Sequence, residues 1–311
     1  MQFKNLTVFK LTQDVNLDEL SQSITPFAAK KIMPSEESST GFISPHRLFS
    51  GLLYPIQQFG VIAVKHQQKT IPSSVLKEQL EEKIDLIKQS EARHITNKEK
   101  LAMKEELIFS LLPKVLAKIE TISAFIDTQS QLLVINSASL KKAEMVVELI
   151  RKALGSFPVV PLTAKQVPQS LFTEWLKQKS IPSPFTMGEK LYLKNQSEEA
   201  ASVRCNGLDF FANEVAHYLD NHFLVESFSL DYQDQLSFTI DQQLIFKQLK
   251  LSDSFIDQLE KLDDDLAEFE QNLVLYFNQY IALIHQLISV LGGENVQASI
   301  STEAGSISAT V

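Results

Sequence analysis

Residues Gln131 to Leu162 read QLLVINSASLKKAEMVVELIRKALGSFPVVPL and contain the pattern of a strand, a helix and a second strand. Leu132 to Ile135 is a short β-rich run, and Ser137 or Ser139 can cap the helix that follows. The apolar residues of this helix recur at the spacing of one buried face; they are Ala143, Val146, Val147, Ile150 and Leu154. Gly155 ends the helix, and the two prolines after it favour an extended chain.

The polar side of this helix carries a surplus of positive charge. Its charged residues are Lys141, Lys142, Arg151, Lys152, Glu144 and Glu148. Four positive charges minus two negative charges leave +2 on one helix. Such a local surplus favours contact with an anionic partner.

The composition indicates a globular protein. The chain has 311 residues, 44% of them hydrophobic, which suffices for one large or two ordinary domains. Its first residues, MQFKNLTVFKLTQD, lack the apolar centre of a signal peptide, and no apolar run approaches the roughly 18 residues of a membrane span. The single cysteine, Cys205, excludes an intrachain disulfide. We therefore expect a reducing, cytoplasmic location and no membrane partner.

The formal charge of −9 is concentrated in one segment. Leu251 to Glu270 contains one base, Lys261, and eight acids: Asp253, Asp257, Glu260, Asp263, Asp264, Asp265, Glu268 and Glu270. One minus eight gives −7, so the rest of the chain carries only −2. This distribution leaves room for a basic face, and the acidic total does not exclude a nucleic-acid partner.

The N-terminal half predicts a mixture of strands and helices. We expect strands at Asn5–Leu11 and Gly60–Lys65, a hairpin at Ser123–Asn136, and helices at Leu17–Ala28, from Ser73 or Ser74 onward, at Thr96–Ser110 and at Lys114–Ile122. The segment Lys30–Pro55 contains three prolines and many serines, and it predicts mostly loop.

The C-terminal half predicts helices around a β-meander. We expect helices at Ser170–Lys179 and Leu208–Leu219, meander strands at Phe223–Leu230, Gln235–Ile240 and Leu244–Leu251, and a long final helix from Leu266 to Leu291. The polar segment 180–204 is the predicted boundary between subdomains. Residues 295–311 are small and polar, and we expect them to be disordered. The predicted fold class is α+β.

Catalytic and metal-binding patterns are scarce. Nine glycines never give the spacing of a phosphate-binding loop, and the six histidines show no pair spaced as metal ligands on a helix. Cys205 is expected to be a buried, inert thiol. The run Asp263-Asp264-Asp265 is better explained by a helix N-terminus than by a two-metal site. The sequence therefore predicts no catalytic residue, no metal and no cofactor.

The remaining candidate site consists of lysine-bearing helices. From Lys77 to Lys118 there are eight lysines and Arg93, matched by eight acids. Mixed charge of this kind is usually a solvated surface. Binding DNA without regard to its sequence requires only several cations along the phosphates, so the pattern permits DNA binding without establishing it.

Segments spread along the chain share the sequence of a known family. They are FKNLTVFKLT, TIPSSVLKEQLEEKI, KEELIFSLLPKVL, the central AFIDTQSQLLVINSASLKKAEMVVELIRKALGSFPVVPL, FTEWLKQ, FKQLKLSD and LIHQLISVLGGE. In these segments the chain resembles the RdgC family of bacterial recombination-associated proteins, over roughly residues 1 to 294. The central segment is the most specific of them.

The resemblance implies an elongated α+β subunit that joins a second copy to form a ring-shaped homodimer. It implies binding of double- and single-stranded DNA with little sequence preference, a place in the nucleoid, and functional antagonism with the RecA recombinase. Basic side chains would line the hole of the ring. The candidates for phosphate contact are Lys77, Lys83, Lys98, Lys100, Lys104, Lys114, Lys118, Lys141, Lys142, Arg151 and Lys152.

Two positions depart from the family's pattern. Relatives commonly carry a basic and polar cluster where this chain has VRCNGL, in which Arg204 is the one cation and a further candidate for DNA contact. After the LLP segment the family can present a bulky aromatic side chain that plugs a pocket of the partner subunit. This chain has Leu116 there, which is the candidate dimer contact and buries less apolar area than a phenylalanine.

Three functions follow from these observations. We favour a non-enzymatic, DNA-binding ring dimer that restrains recombination. One alternative is a metal-dependent exonuclease acting in recombination, since the family has sometimes carried that label. The other is a protein-interaction module that acts on the recombination machinery without gripping DNA.

Overall fold

A computed structural model of the protein describes residues 1–91, 93–197, 201–207, 209–211, 213–259 and 264–295. Within these ranges the chain forms two antiparallel sheets and eight α-helices, which confirms the predicted α+β class. From residue 296 onward the predicted disordered tail lies outside the described residues, as do Leu208, Glu260, Lys261 and Asp263.

Seven strands form the first sheet. They are β1 (Thr7–Leu11), β2 (Ser38–Ile43), β3 (Leu53–Ile56), β4 (Phe59–Gln68), β5 (Lys118–Asp127), β6 (Leu132–Ile135) and β7 (Val159–Pro161). Their order is β2-β4-β5-β6-β1-β7, and β3 lies beside β2 on the same edge of β4. The predicted strands at Asn5 and Gly60 and the predicted hairpin, β5 with β6, are confirmed.

Eight helices accompany the sheets. They are α1 (Leu17–Ile24), α2 (Ser73–Glu91), α3 (Asn97–Leu111), α4 (Leu140–Leu154), α5 (Pro168–Lys177), α6 (Asn213–Asp220), α7 (Asp253–Ile256) and α8 (Asp265–Val290). All the predicted helices are present except the one at Lys114–Ile122. The helix predicted from Leu208 begins later, at Asn213.

The central stretch folds as β6, α4 and β7, as predicted. Ser139 stands at the N-cap position of α4, and its N–H donates to the hydroxyl of Ser137 at 3.0 Å. Gly155 ends the helix with a φ of +78°, a conformation that side chains with a Cβ rarely adopt. The two strands do not pair with each other: β1 lies between them and joins both.

The segment Lys30–Pro55 is not mostly loop, because it contains β2 and most of β3. Both strands pair with β4, which supplies hydrogen bonds that local sequence does not reveal. Gly41 is required in β2 because a Cβ there would approach the Cα of Ala29 to 2.5 Å. The glycine that favoured a loop in the sequence thus permits close packing within a sheet.

The helix predicted at Lys114–Ile122 is also wrong. A single 3₁₀ turn (Leu112–Lys114) follows α3, and the chain then enters β5. The ten residues of β5 pair with β4 along its whole length, from Lys118 opposite Gln68 to Asp127 opposite Phe59. This long-range pairing overrides the local helical spacing.

Five strands form the second sheet, and three of them are the predicted meander. The strands are β8 (Phe185–Asn195), β9 (Ser202–Asn206), β10 (Phe223–Tyr232), β11 (Leu236–Asp241) and β12 (Phe246–Leu251), in the order β12-β11-β10-β8-β9. The segment 180–204, predicted as a subdomain boundary, contains β8 and the start of β9. The division into subdomains stays a prediction.

Helix α8 packs in one hydrophobic cluster with residues of both sheets. Its Phe277 stacks on Phe125 of β5 with ring centroids 4.0 Å apart, and Tyr280 accepts a hydrogen bond from the N–H of Phe3 at 3.1 Å. By length and composition alone α8 is apolar enough to cross a membrane, whereas we predicted that no run of this chain approaches a membrane span. Its burial against the sheets fits the core helix of a globular protein.

A capping box begins α3. The Glu99 N–H donates to the Thr96 hydroxyl at 3.3 Å, and the Glu99 carboxylate accepts from the Thr96 N–H at 2.8 Å. The hydrogen bond from the Thr96 N–H, followed by those from the Arg93 side chain and the Thr96 hydroxyl, lowers the pKa of Glu99 to about 2. The carboxylate therefore contributes fully above its ordinary pKa of 4.5, and the contribution is lost as the pH falls through about 2.

We expect Thr96→Ala to destabilise the protein by about 1 kcal/mol, the usual cost of removing an N-cap side chain. The loss should be the same from pH 5 to pH 8, because Glu99 stays ionised throughout. Thermal unfolding followed by circular dichroism measures it. Ser156→Ala, which removes an exposed hydroxyl after α4, is the control. Equal melting temperatures for both variants would contradict the role of the cap.

Candidate nucleic-acid interface

Helices α2 and α3 form a hairpin inserted between β4 and β5. Gln68, the last residue of β4, lies opposite Lys118, the first of β5, so the hairpin leaves the first sheet where both strands end. Ile84 is the residue of α2 that is buried, and the side chains of α3 are all half-buried or exposed. The hairpin therefore presents most of its charged side chains to solvent.

Much of the positive charge on the hairpin is neutralised by ion pairs. Lys77 lies 3.8 Å from Glu81, and Lys83 lies 2.5 Å from Glu106 on the other helix. Arg93 pairs with Glu91 and Glu99. Lys77 and Lys83 were both predicted to contact DNA, but each would first have to leave its carboxylate.

The base of the hairpin brings several predicted residues together. Lys114 is exposed in the 3₁₀ turn, and Lys118 is exposed two residues before Glu120 on β5. Glu120 accepts two hydrogen bonds from Lys142 on the first turn of α4, at 2.6 and 2.7 Å. This ion pair holds the N-terminus of α4 beside the start of β5. Lys141, next to Lys142, is exposed.

The far end of α4 carries two more candidates. Lys152 lies 3.8 Å from Glu148, one turn earlier, whereas Arg151 is exposed. Ten residues of helix separate Arg151 from Lys141, which corresponds to about 15 Å along the axis. The surplus predicted for α4 is therefore real, but its two unpaired cations stand at opposite ends of the helix.

The candidates thus divide into paired and unpaired cations. We call the unpaired ones on the hairpin, its base and α4 the basic track: Lys98, Lys100, Lys104, Lys114, Lys118, Lys141 and Arg151. Among the residues that the structure describes, none of these seven has a carboxylate within 4.0 Å. Unpaired cations can neutralise phosphates without breaking an existing ion pair.

Arg204 lies apart from the basic track. It is exposed on β9, at the edge of the second sheet, and its guanidinium stands 4.9 Å from the ring centroid of Tyr192 on β8. This distance is that of a cation–π contact. The sequence named Arg204 as a candidate for DNA contact, which stays a prediction, and gave no indication of its aromatic partner.

Leu116 is almost fully exposed. It lies between the hairpin and β5 with 93% of its surface accessible, and Phe109 and Ile119 nearby in sequence are 70% and 59% exposed. Exposed apolar side chains are typical of sites where another protein binds when they form a contiguous patch.

The groups considered for catalysis have structural explanations where the structure describes them. Asp264 caps α8 by accepting from the N–H groups of Leu266 and Ala267, and Asp265 pairs with Arg47. Burial raises the pKa of the Cys205 thiol, as expected for an inert cysteine. Over the described ranges, no three His, Cys, Asp or Glu side chains are grouped so that they could hold a metal ion.

Strand β8 was not predicted from the sequence. Lys190, Tyr192 and Lys194 are polar or exposed, and they alternate with the buried Leu191 and Leu193. This alternation is the signal of a strand with one solvated face. The strand was not predicted because Pro182 and Pro184 indicated a boundary between subdomains.

Comparison with known proteins covers nearly the whole chain. Residues 1–294 match the model of the family described as "Putative exonuclease, RdgC". The chain is 33% identical over 297 residues to the recombination-associated protein RdgC of Yersinia pestis (strain Pestoides F), covering 94% of this chain and 98% of the relative. The proteins of the same name from Yersinia pseudotuberculosis serotype O:3 (strain YPIII) and Yersinia enterocolitica serotype O:8 show the same identity and coverage. A match of this extent means that the chain belongs to the RdgC family.

Proposed function

We propose that this protein binds DNA without enzymatic activity and with little sequence preference, as a ring-shaped homodimer, and that it restrains RecA-dependent recombination. It would act in the cytoplasm, on the nucleoid. The names of its relatives support a role in recombination. The observation that carries the DNA-binding part is the basic track, seven cations on adjoining elements with no carboxylate partner among the described residues.

Net charge does not oppose this proposal. The chain carries −9 overall, and seven of these charges come from Leu251–Glu270, outside the hairpin and α4. Phosphates respond to the cations nearest to them, because charges further away than about 10 Å are screened at 0.1 M salt. The acidic segment therefore does not prevent the hairpin and α4 from binding DNA.

Fluorescence anisotropy with labelled duplex tests the proposal. Binding should weaken steeply as salt increases, because each phosphate contact releases a counterion. It should be the same for unrelated sequences, and the DNA should remain intact with magnesium. Absence of binding at low salt would overturn the proposal.

The family's description favours one competing function, an exonuclease. Nucleases of the two-metal type gather carboxylates around their ions. The same duplex, labelled at one end and incubated with Mg²⁺ or Mn²⁺, tests this function on a denaturing gel. Release of nucleotides by the wild-type protein, abolished by EDTA, would replace our proposal with the enzymatic one.

Inhibition of RecA can arise in two ways: by competition for DNA or by direct contact with the recombination proteins. If this protein restrains recombination by occupying DNA, a variant that cannot bind DNA should no longer inhibit RecA-catalysed strand exchange. Inhibition retained by such a variant would favour the interaction module instead.

The homodimer is proposed to form partly through Leu116. We expect Leu116→Asp to raise the Kd of the dimer at least 100-fold, because it removes an apolar contact worth about 1.5–3 kcal/mol and would bury a charge. In a twofold-symmetric dimer the change occurs on both subunits. Sedimentation velocity over a concentration series measures the Kd.

The matched control for this change is Val167→Asp. Val167 is 64% exposed and stands at the N-cap of α5, where aspartate is favourable. It should leave the dimer intact. If Leu116→Asp also left it intact, Leu116 would have no place in the interface.

A further inference from the structure

The second sheet has one buried face and one polar face. On β8 the side chains of Leu191 and Leu193 are buried, at 2% and 0% exposure, and they fix the strand against the core. The alternate residues Lys190, Tyr192 and Lys194 are on the opposite face. A cationic and aromatic row is thus held on a rigid element.

The neighbouring strand extends this row. Arg204 on β9 lies opposite Tyr192 in the register, and Asn206 lies opposite Lys190. The Arg204 guanidinium stands 4.9 Å from the Tyr192 ring centroid. The guanidinium and the ring therefore form a cation–π pair at the edge of the sheet.

A polar groove leads from this pair across the sheet. A cavity of about 590 Å³ is lined by Tyr192, Arg204, Ser227 and Thr239, among others. A second cavity of about 280 Å³ shares Lys190 and Thr239 with the first and reaches Lys250 on β12. Five strands at about 4.8 Å spacing give the groove a length of roughly 19 Å.

The charges along the groove favour an anionic ligand. Four cations, Lys190, Lys194, Arg204 and Lys250, stand on this face, and no carboxylate of the described residues lies within 4.0 Å of them. A fifth, Lys247, is paired with Asp241 at 2.6 Å.

Two acids, Glu189 and Asp231, line the same groove. Burial, followed by the nearby Asp234 and Glu189, raises the pKa of Asp231. Three of the four cations line the groove against these two acids, and the fourth, Lys194, lines a neighbouring cavity together with Glu226, so a surplus of one positive charge remains. Lys190 already reaches across two strands to the side-chain oxygen of Gln248, at 2.5 Å.

An open sheet face with an aromatic side chain among cations is suited to unpaired bases. A base can stack on an aromatic ring or on an arginine plane, whereas the bases of a duplex are stacked on each other and unavailable. We propose that the polar face of the second sheet binds single-stranded DNA, with a base stacked on the Arg204–Tyr192 pair and phosphates against Lys190 and Lys194. This site deepens the proposed DNA-binding function and is distinct from the basic track.

Anisotropy with a labelled oligo(dT) tests the site, because this strand forms no duplex of its own. Tyr192→Ala should weaken oligo(dT) binding about 10-fold, since base stacking is worth roughly 1–3 kcal/mol. Tyr192→Phe keeps the ring and should stay within about twofold of the wild type. Both variants should bind a duplex of the same length as the wild type does.

The outcomes separate this proposal from the proposed function. If the wild type binds duplex but Tyr192→Ala leaves oligo(dT) binding unchanged, the single-strand site on the second sheet is wrong and the proposed duplex binding stands. If the wild type binds neither form of DNA, both proposals fail. Equal losses for Tyr192→Ala and Tyr192→Phe would also overturn stacking, because both lack the hydroxyl and only one lacks the ring.

Photocross-linking provides a test that does not depend on a variant. Wild-type protein is irradiated with oligo(dT) containing 5-bromodeoxyuridine, and the cross-linked peptide is identified by mass spectrometry. A cross-link within β8 or β9 supports the single-strand site on the second sheet. Cross-links confined to the α2–α3 hairpin or α4 would show that single strands bind at the basic track. That result would overturn the proposed site on the second sheet.

Discussion

Lys118→Glu combined with Lys141→Glu is expected to weaken duplex DNA binding by roughly 10- to 100-fold at about 0.1 M salt. Both side chains are exposed, and neither has a carboxylate partner among the described residues. They stand near each other because the Lys142–Glu120 ion pair joins the start of α4 to the start of β5. Reversing their charge replaces two phosphate contacts with two repulsions. Anisotropy over a salt series measures both the affinity and its dependence on salt.

The salt dependence distinguishes a lost contact from a damaged protein. Each lost phosphate contact should reduce the slope of log K against log salt by about 1, so the double change should reduce it by about 2 per engaged subunit. Lys177→Glu with Lys179→Glu is the matched control, with the same change of net charge at two exposed residues of the α5 region. An unchanged slope in the first variant, or an equal loss in the control, would remove Lys118 and Lys141 from the interface.

Local patterns in the sequence were sufficient for most of the elements. The central strand–helix–strand unit, the meander and α8 were predicted because their signals lie within the elements themselves. Apolar spacing, turn residues and helix-ending glycines act over a few positions. Gly155 is an example, since its positive φ depends on the helix it ends.

Three missed features depend on distant residues: β2, β3 and the extended first half of β5. β2 and β3 are formed because β4 presents a free edge, and the first half of β5 is extended because β4 continues beside it to Gln68. A segment rich in serine and proline carries no record of such a neighbour. Pairing between strands is a property of the folded chain, and single-sequence patterns miss it for that physical reason.

The candidate site was predicted as a set of residues but not as an arrangement. The members of the basic track were all taken from the candidates named from the sequence, and lysine and arginine are nearly always exposed. Counting cations could not separate Lys118, which is unpaired, from Lys83, which is held by Glu106 across the hairpin. The same limit hid the pairing of Arg204 with Tyr192, because residues twelve apart in the sequence meet only through the β8–β9 register.

Phe277→Ala is expected to lower the free energy of unfolding by about 3–5 kcal/mol, which is the usual cost of deleting a fully buried phenylalanine. Phe277 has 0% exposure and packs against Phe125, Phe3 and Phe59, with centroid distances of 4.0, 5.7 and 5.4 Å. The three partners come from β5, the N-terminal segment and β4, so a void here would loosen α8 from the first sheet. Chemical denaturation followed by circular dichroism at 222 nm measures the loss.

Phe109→Ala makes the same chemical change where the side chain is 70% exposed, and it should cost less than about 1 kcal/mol. A similar loss in both variants would mean that Phe277 is not the contact that joins α8 to the sheet. The consequence extends to the second sheet, because the segment before β1 that Phe3 anchors also pairs with β12 through Leu6 and Phe246. Loosening Phe277 should therefore reduce the cooperativity of unfolding between the two sheets, and it should leave DNA affinity unchanged at temperatures where the variant remains folded.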